Sequence, residues 1–300
     1  MIYEKFERII NKFLKKKKNE FIDKLIRQYI HEGRIPWSPG YIEYKERQIK
    51  EAISDSSILE KFNKKKLPSG YGLRLDERIV EYPWIINNVS GKKTKFLDAG
   101  STFNNEYMLK HNKIAVKDIT IYTYYPEKNC FHDLRVSYMF GDLRDIPFRN
   151  NTFDEIVCQS TLEHIDMDTD IYGYSIKRKI KKSLGKNYEF IKVLHELVRV
   201  LNPGGTMLIT FPYGMYEDHG FQQQFDNEML QKSLQVMSKT GKCKTTFFLY
   251  RENEWKFANQ DACENSKTYN PNTGVGKGDD GAAHSRSICC IKYHKKRESS

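Results

Sequence analysis

No run of about 18 or more apolar residues occurs in this 300-residue chain, so nothing in it is expected to span a bilayer. The uninterrupted apolar core of a secretory signal is missing from the start, where Glu4, Lys5 and Glu7 break up the apolar residues; a cytoplasmic location is expected. None of the six cysteines, Cys130, Cys158, Cys243, Cys263, Cys289 and Cys290, forms a Cys-x-x-Cys pair, and most have β-branched or aromatic neighbours. Neither a disulfide framework nor a zinc site is expected, and the compartment reads as reducing. The chain also lacks the Gly-x-Gly-x-x-Gly fingerprint of pyrophosphate-binding loops, which argues against a dinucleotide ligand. Internal repeats and low-complexity tracts are absent.

What is present is charge, unevenly placed. The formal net charge is +11, and much of it comes from Lys15 to Lys18, Lys64 to Lys66, the stretch Lys177 to Lys186, and the tail Lys292 to Arg297. Such clusters attract nucleic acid, anionic lipid or phosphorylated small molecules, or are simply solvated lysine. Residues 1 to 33 read as a basic amphipathic helix, since Ile2, Phe6, Ile9, Ile10, Phe13, Ile22, Leu25, Ile26 and Tyr29 recur largely at three- and four-residue spacing. Peripheral membrane contact is one use of such a helix. Packing on its own domain or on the second subunit of a homodimer is the commoner one. The segment Ile35 to Gly40 breaks it; a charged helix over 43 to 63 follows, then a third carrying Arg78, Glu81, Tyr82 and Trp84.

From residue 94 strands and helices alternate, which predicts a parallel sheet with helices on its faces. The strands expected are Lys95 to Ala99, Ile119 to Tyr124, Tyr138 to Gly141, Glu155 to Gln159, Thr206 to Phe211, Thr245 to Tyr250 and Ser287 to Tyr293, with helices near 104 to 111, 187 to 201 and 226 to 238. The last two strands, separated by the polar, Gly-rich loop 264 to 281, are expected to pair as an antiparallel edge. The fold class is therefore α/β, a Rossmann-like seven-stranded mostly parallel sheet with an antiparallel last strand. Residues 1 to 90 form a helical extension and 91 to 300 the α/β domain.

Four segments carry chemistry. In Lys95-Phe96-Leu97-Asp98-Ala99-Gly100-Ser101 an apolar strand ends in Asp and Gly, and glycine there lets the backbone approach a ligand at the end of a parallel strand. Phe140-Gly141-Asp142-Leu143 ends the third strand with a carboxylate beside an apolar side chain, which suits an adenine; a helix-capping Asp explains it equally well. The third segment is Asp145-Ile146-Pro147-Phe148 leading to Phe153-Asp154 and on to Leu162-Glu163-His164, and the fourth is Arg199-Val200-Leu201-Asn202-Pro203-Gly204-Gly205 running into a strand. In order and spacing, over roughly residues 94 to 212, these resemble the class I S-adenosylmethionine-dependent methyltransferase superfamily. Asp76 to Trp84, Tyr172-Gly173 and Asp218-His219-Gly220-Phe221-Gln222-Gln223-Gln224-Phe225-Asp226 look like a bacterial subfamily often encoded among genes for surface-polysaccharide synthesis.

The resemblance implies S-adenosyl-L-methionine as cofactor, held by Asp98, Gly100, Ser101, Asn104, Asp142, Leu143, Gln159 and Ser160. The glycine loop keeps only Gly100, and the acid expected at the end of the second strand is missing; Thr123 and Glu127 are the substitutes within reach. The acceptor is expected above the fourth and fifth strands, a small molecule such as a phosphorylated or nucleotide-linked sugar, methylated on oxygen. His219, beside Asp218 and near Asp226, is the first general-base candidate and His164 the second, because imidazole titrates near neutrality. His195 is expected at the surface. The basic insertion with Tyr172, Tyr174, Lys177, Arg178, Lys179, Lys181, Lys182 and Lys186 is expected to be a lid that offsets an acceptor's phosphate charge. Two other readings stand beside this one. An RNA methyltransferase would use the basic charge, although no Asn-Pro-Pro-Tyr type of motif or RNA-binding module is recognisable. A non-catalytic S-adenosylmethionine-binding protein would keep the fold alone.

Overall fold

The computed structural model describes residues 2–168, 170 and 185–297. Four helices precede the first strand: α1 (Ile2–His31), α2 (Tyr41–Ser54), α3 (Ser56–Asn63) and α4 (Arg78–Asn88). The single charged helix expected over 43 to 63 is two, because Asp55 leaves helical backbone and accepts a hydrogen bond from Ser57 N at 2.7 Å, capping α3. Helix α4 contains Pro83, which cannot donate to the carbonyl four residues back. That carbonyl, Ile79 O, is taken instead by the Tyr71 hydroxyl at 2.8 Å.

The α/β part follows: β1 (Lys95–Ala99), α5 (Glu106–Leu109), α6 (Asn112–Ala115), β2 (Asp118–Thr123), β3 (Val136–Phe140), β4 (Phe153–Gln159), α7 (Phe190–Val200) and β5 (Leu201–Pro212). After it come the two-residue strands β6 (Glu217–Asp218) and β7 (Gln223–Gln224), then α8 (Asn227–Ser238), β8 (Gly241–Arg251), β9 (Glu254–Ala258), α9 (Gln260–Cys263) and β10 (Ser287–Lys295). The main sheet has the order β3-β2-β1-β4-β5-β10-β8-β9. Its first five strands are mutually parallel, and β10 runs antiparallel to both β5 and β8. The mostly parallel sheet with an antiparallel last strand is thus observed, with two differences. An eighth strand, β9, closes the edge through a two-residue turn in which Glu252 and Asn253 both have positive φ. And the antiparallel edge, in which β10 pairs with β8 as expected, holds three strands, with β10 between β5 and β8.

Alternation along the strands divides the core. Phe96, Ile119, Ile121, Val157, Leu208, Phe248 and Cys290 face one side, where Tyr29, Tyr41, Ile49, Ile53, Phe62, Val80, Trp84, Ile85 and Ile86 of α1 to α4 cover them. Leu97, Ile156, Cys158, Met207, Ile209, Phe247, Cys289 and Ile291 face the other, under Phe190, Leu194 and Leu197 of α7 and Met229, Leu230 and Met237 of α8. The first 90 residues are therefore one of the two helical layers of the sheet. The described cysteine thiols are all free. Among the described residues no helix is long and apolar enough to cross a membrane.

Candidate functional site

The carboxyl ends of β1, β4 and β5 meet the amino ends of α4 and β10, because β10 runs opposite to β5. At β1 the chain turns through Gly100 (φ 117°) and Ser101 (φ 64°). A side chain on Gly100 would drive into Thr161, so this glycine serves the backbone turn and close packing on the loop after β4. The Asp98 carboxylate is fully buried and accepts from Phe103 N (2.8 Å), Thr102 N (3.2 Å) and Thr102 Oγ1 (3.3 Å). Burial pushes it up to about 7, against those hydrogen bonds and with help from the charge of Glu127. Asp98 shapes the turn from beneath. Asn104 and Glu127 come together beside it: Asn104 Nδ2 donates to Glu127 Oε2 at 2.6 Å, and Tyr138 donates to Asn104 Oδ1 at 2.9 Å. Thr123 ends the neighbouring strand β2.

At β3 the structure gives Asp142 a partner that sequence reading did not supply. Arg144 grips both its carboxylate oxygens, Nε at 3.0 and 3.1 Å and Nη2 at 2.7 Å, and the Arg144 amide bonds Oδ1 at 2.9 Å. Asp142 thus closes a turn onto Arg144 with no helix behind it to cap, and Leu143 is buried in the core.

Helix α4 supplies the centre of the site, and sequence reading had not put it there. Glu81 is fully buried and its two oxygens collect four donors. Oε1 accepts from Ser160 Oγ at 2.6 Å and Thr210 Oγ1 at 2.5 Å; Oε2 accepts from Arg78 Nη1 at 2.6 Å and Gln159 Nε2 at 3.3 Å. One helix from the extension thereby fixes the ends of β4 and β5. The signal was a charged residue in the otherwise apolar run Ile79 to Ile86. Because the Gln159 amide N–H₂ faces a carboxylate, its Oε1 faces away, and it has no protein partner. Ser101 Oγ is likewise buried and unpartnered.

Deeper along the same end lie three histidines. His164 is held by Phe221 O (2.8 Å) and stacks on the Phe221 ring; burial drags it down to about 4, so it is neutral. His219 faces Glu217 (Nε2 to Oε2 3.5 Å), and burial lowers it too. Asp226, expected beside His219, instead caps α8 through Met229 N (3.1 Å) and pairs with Lys186 (2.6 Å). The third, His284, escaped the sequence reading. Its Nδ1 meets Glu77 Oε1 at 3.0 Å, its Nε2 lies 3.1 Å from Gln222 Nε2, and Ser285 N bonds the other Glu77 oxygen at 3.3 Å. Burial works against both charges, yet each holds the other charged: Glu77 lies well below the usual carboxylate range and His284 above the usual imidazole one. Glu163 beside them is buried with Oε2 unpartnered, and burial pushes its carboxyl well above the usual range. His195 is exposed on α7.

The expected basic lid falls mostly at 171 to 184, outside the described residues, and so do Tyr172, Tyr174, Lys177, Arg178, Lys179, Lys181 and Lys182. Lys186 is described; Asp226 and Glu228, each at 2.6 Å, neutralise it.

Residues 100–209 match the family described as Methyltransferase domain. Solved structures similar to this chain include the YcgJ protein from Bacillus subtilis, at 11% identity over 71% of this chain and 95% of that one, TM-score 0.42. Another is the 1,6-didemethyltoxoflavin-N1-methyltransferase of Burkholderia thailandensis with S-adenosylhomocysteine bound, at 14% identity over 69% and 72%, TM-score 0.38. A third is the N-methyltransferase NodS of Bradyrhizobium japonicum with the same ligand, at 9% identity over 68% and 79%, TM-score 0.35. No curated protein matches the sequence. Residues 100–209 are a methyltransferase domain, and the strand order and turn motifs around them are those of the class I S-adenosylmethionine-dependent fold. Its methyl donor is S-adenosylmethionine. The residues fit that cofactor: the two unpartnered acceptors, Ser101 Oγ and Gln159 Oε1, suit a ligand bearing an ammonium group.

Proposed function

We propose that this methyltransferase methylates a hydroxyl oxygen on a small molecule or glycan precursor, in the cytoplasm and in the service of surface polysaccharide. The cofactor supplies the methyl group as an electrophile, and the chain's own residues position the acceptor, exclude water and take up its proton. Ser101 and Gln159 hold the amino-acid end of the cofactor, and Asn104 and Glu127 its ribose.

The observation that carries the hydroxyl reading is the His284–Glu77 pair. With Nδ1–H donating to Glu77, the lone pair of His284 Nε2 accepts from Gln222 Nε2 at 3.1 Å, and the acceptor hydroxyl takes the place of that amide to reach it. The acceptor O–H gives its proton to that nitrogen while its oxygen takes the methyl group, leaving S-adenosylhomocysteine and the ether. His219 with Glu217 lines the same end and takes a supporting role. His164, pinned to a backbone carbonyl, packs the wall.

The test is a panel of free sugars, sugar phosphates and nucleotide-linked sugars incubated with the full chain and S-adenosylmethionine, with products identified by mass spectrometry. An O-methylated product whose formation is reduced about a hundred-fold or more by His284→Ala supports the reading. Methylation confined to nitrogen acceptors, or to RNA, overturns it.

A further inference from the structure

Helix α1 docks on α2 by its last turns. Ile26 and Tyr29 are buried, Tyr29 packs on Tyr41 and Tyr44, and Arg47 ties Asp23 to α2 at 2.5 Å. Ahead of them every residue from Ile10 to Phe21 is exposed, a stretch of about 18 Å at helical rise whose nearest charge on the body is Glu106, within reach of Lys15. Along it Ile10, Phe13, Leu14 and Phe21, 45 to 61% exposed, recur at three-, four- and seven-residue spacing and so form one apolar stripe. The remainder is cationic. Lys12, Lys15, Lys16, Lys17, Lys18 and Lys24 stand against Glu20 and Asp23 alone, and Lys17 lies over the Phe13 ring at 4.8 Å.

Charge decides what covers the stripe. A second copy would set two lysine-rich helices side by side, with like charges in contact. An anionic bilayer takes the apolar stripe at the acyl boundary while the lysine stems reach back to the headgroups. The base of the helix continues the pattern: Ile35 and Trp37 are 55% and 42% exposed, and Trp37 Nε1 donates to Ala283 O at 2.6 Å, next to His284. An indole with one end bonded and its body exposed is suited to a membrane interface.

We propose that α1 seats the enzyme on an anionic lipid surface, with the carboxyl end of the sheet beside the bilayer. The test is flotation of the full chain with vesicles of phosphatidylcholine alone and of phosphatidylcholine mixed with phosphatidylglycerol. Binding is expected to the mixed vesicles only and to weaken as salt rises. Replacing all four of Lys15→Gln, Lys16→Gln, Lys17→Gln and Lys18→Gln should lower partitioning by about a hundred-fold or more. Phe13→Glu with Phe21→Glu should abolish it, while the thermal melt, governed by residues these do not touch, stays unchanged. Equal binding to both vesicle types, or binding to neither, overturns the proposal. So does a concentration-dependent dimer that the Phe13→Glu, Phe21→Glu protein no longer forms, which would assign the stripe to a second copy.

Discussion

Ser101 holds a buried hydroxyl that bonds to nothing in the protein, and this makes it a cleaner probe of the cofactor site than Gly100. A branched residue at Gly100 strains a backbone at φ 117° and strikes Thr161, so it would damage the fold whether or not a ligand binds there. Ser101→Ala removes a hydrogen-bonding group that only a ligand can satisfy. The stability of the free protein should hold or rise slightly, while S-adenosylmethionine affinity falls about five- to ten-fold. Calorimetric titration and a denaturant curve on the same preparation separate the two. His284 makes a prediction about pH. It must be neutral to accept a proton, so kcat/KM should rise with pH, with a midpoint above the ordinary imidazole value of about 6.5. The Glu77 charge stabilises the imidazolium, so Glu77→Gln should move that midpoint down. A structural role for the pair would lower activity at all pH values without moving it. At this scale the sequence was half legible. Asp98, Gly100, Ser101 and Asn104 lie within one local turn and Glu127 just past the neighbouring strand, where a motif can be seen. The partner of His284 is 207 positions away, and no local pattern joins the two.

Helix α4 ties the extension to the chemistry. Glu81→Ala would strand four donors, Ser160 Oγ, Thr210 Oγ1, Gln159 Nε2 and Arg78 Nη1, in a buried setting. We expect a loss of about 3 kcal/mol or more, read from the denaturant midpoint, together with a large fall in methyl transfer. An unchanged midpoint would mean that these contacts do not hold the strand ends. Residues 91–300 alone should fail to fold, because Phe96, Ile121, Val157, Leu208 and Phe248 would lose the helices that cover them. A soluble, cooperative fragment would make the first 90 residues an accessory. Most elements were readable: β1 spans the residues expected, and the buried strands announced themselves by β-branched runs. The missed strand β9 follows a turn of Glu252 and Asn253, without the Asn-Gly that normally marks a hairpin. The antiparallel pairing of β8 with β10 was legible, but nothing local tells β10 to insert between β5 and β8.

Taken whole, the molecule is a methyltransferase sheet whose carboxyl end is closed by a helix from its own amino-terminal layer. The fold class followed from alternation and four spaced motifs, which are local properties. The role of the amino-terminal layer followed from neither, since an apolar helix stripe does not say which face it will cover. The proposed cofactor site lies at the ends of β1 and β4, braced by Glu81. Calorimetric titration of S-adenosylhomocysteine into the full chain and into Ser101→Ala tests it most directly. One site per chain is predicted, in the micromolar to millimolar range usual for enzyme ligands and weaker in the variant. A folded protein that takes up no ligand, or a variant that binds as tightly as the parent, would contradict it.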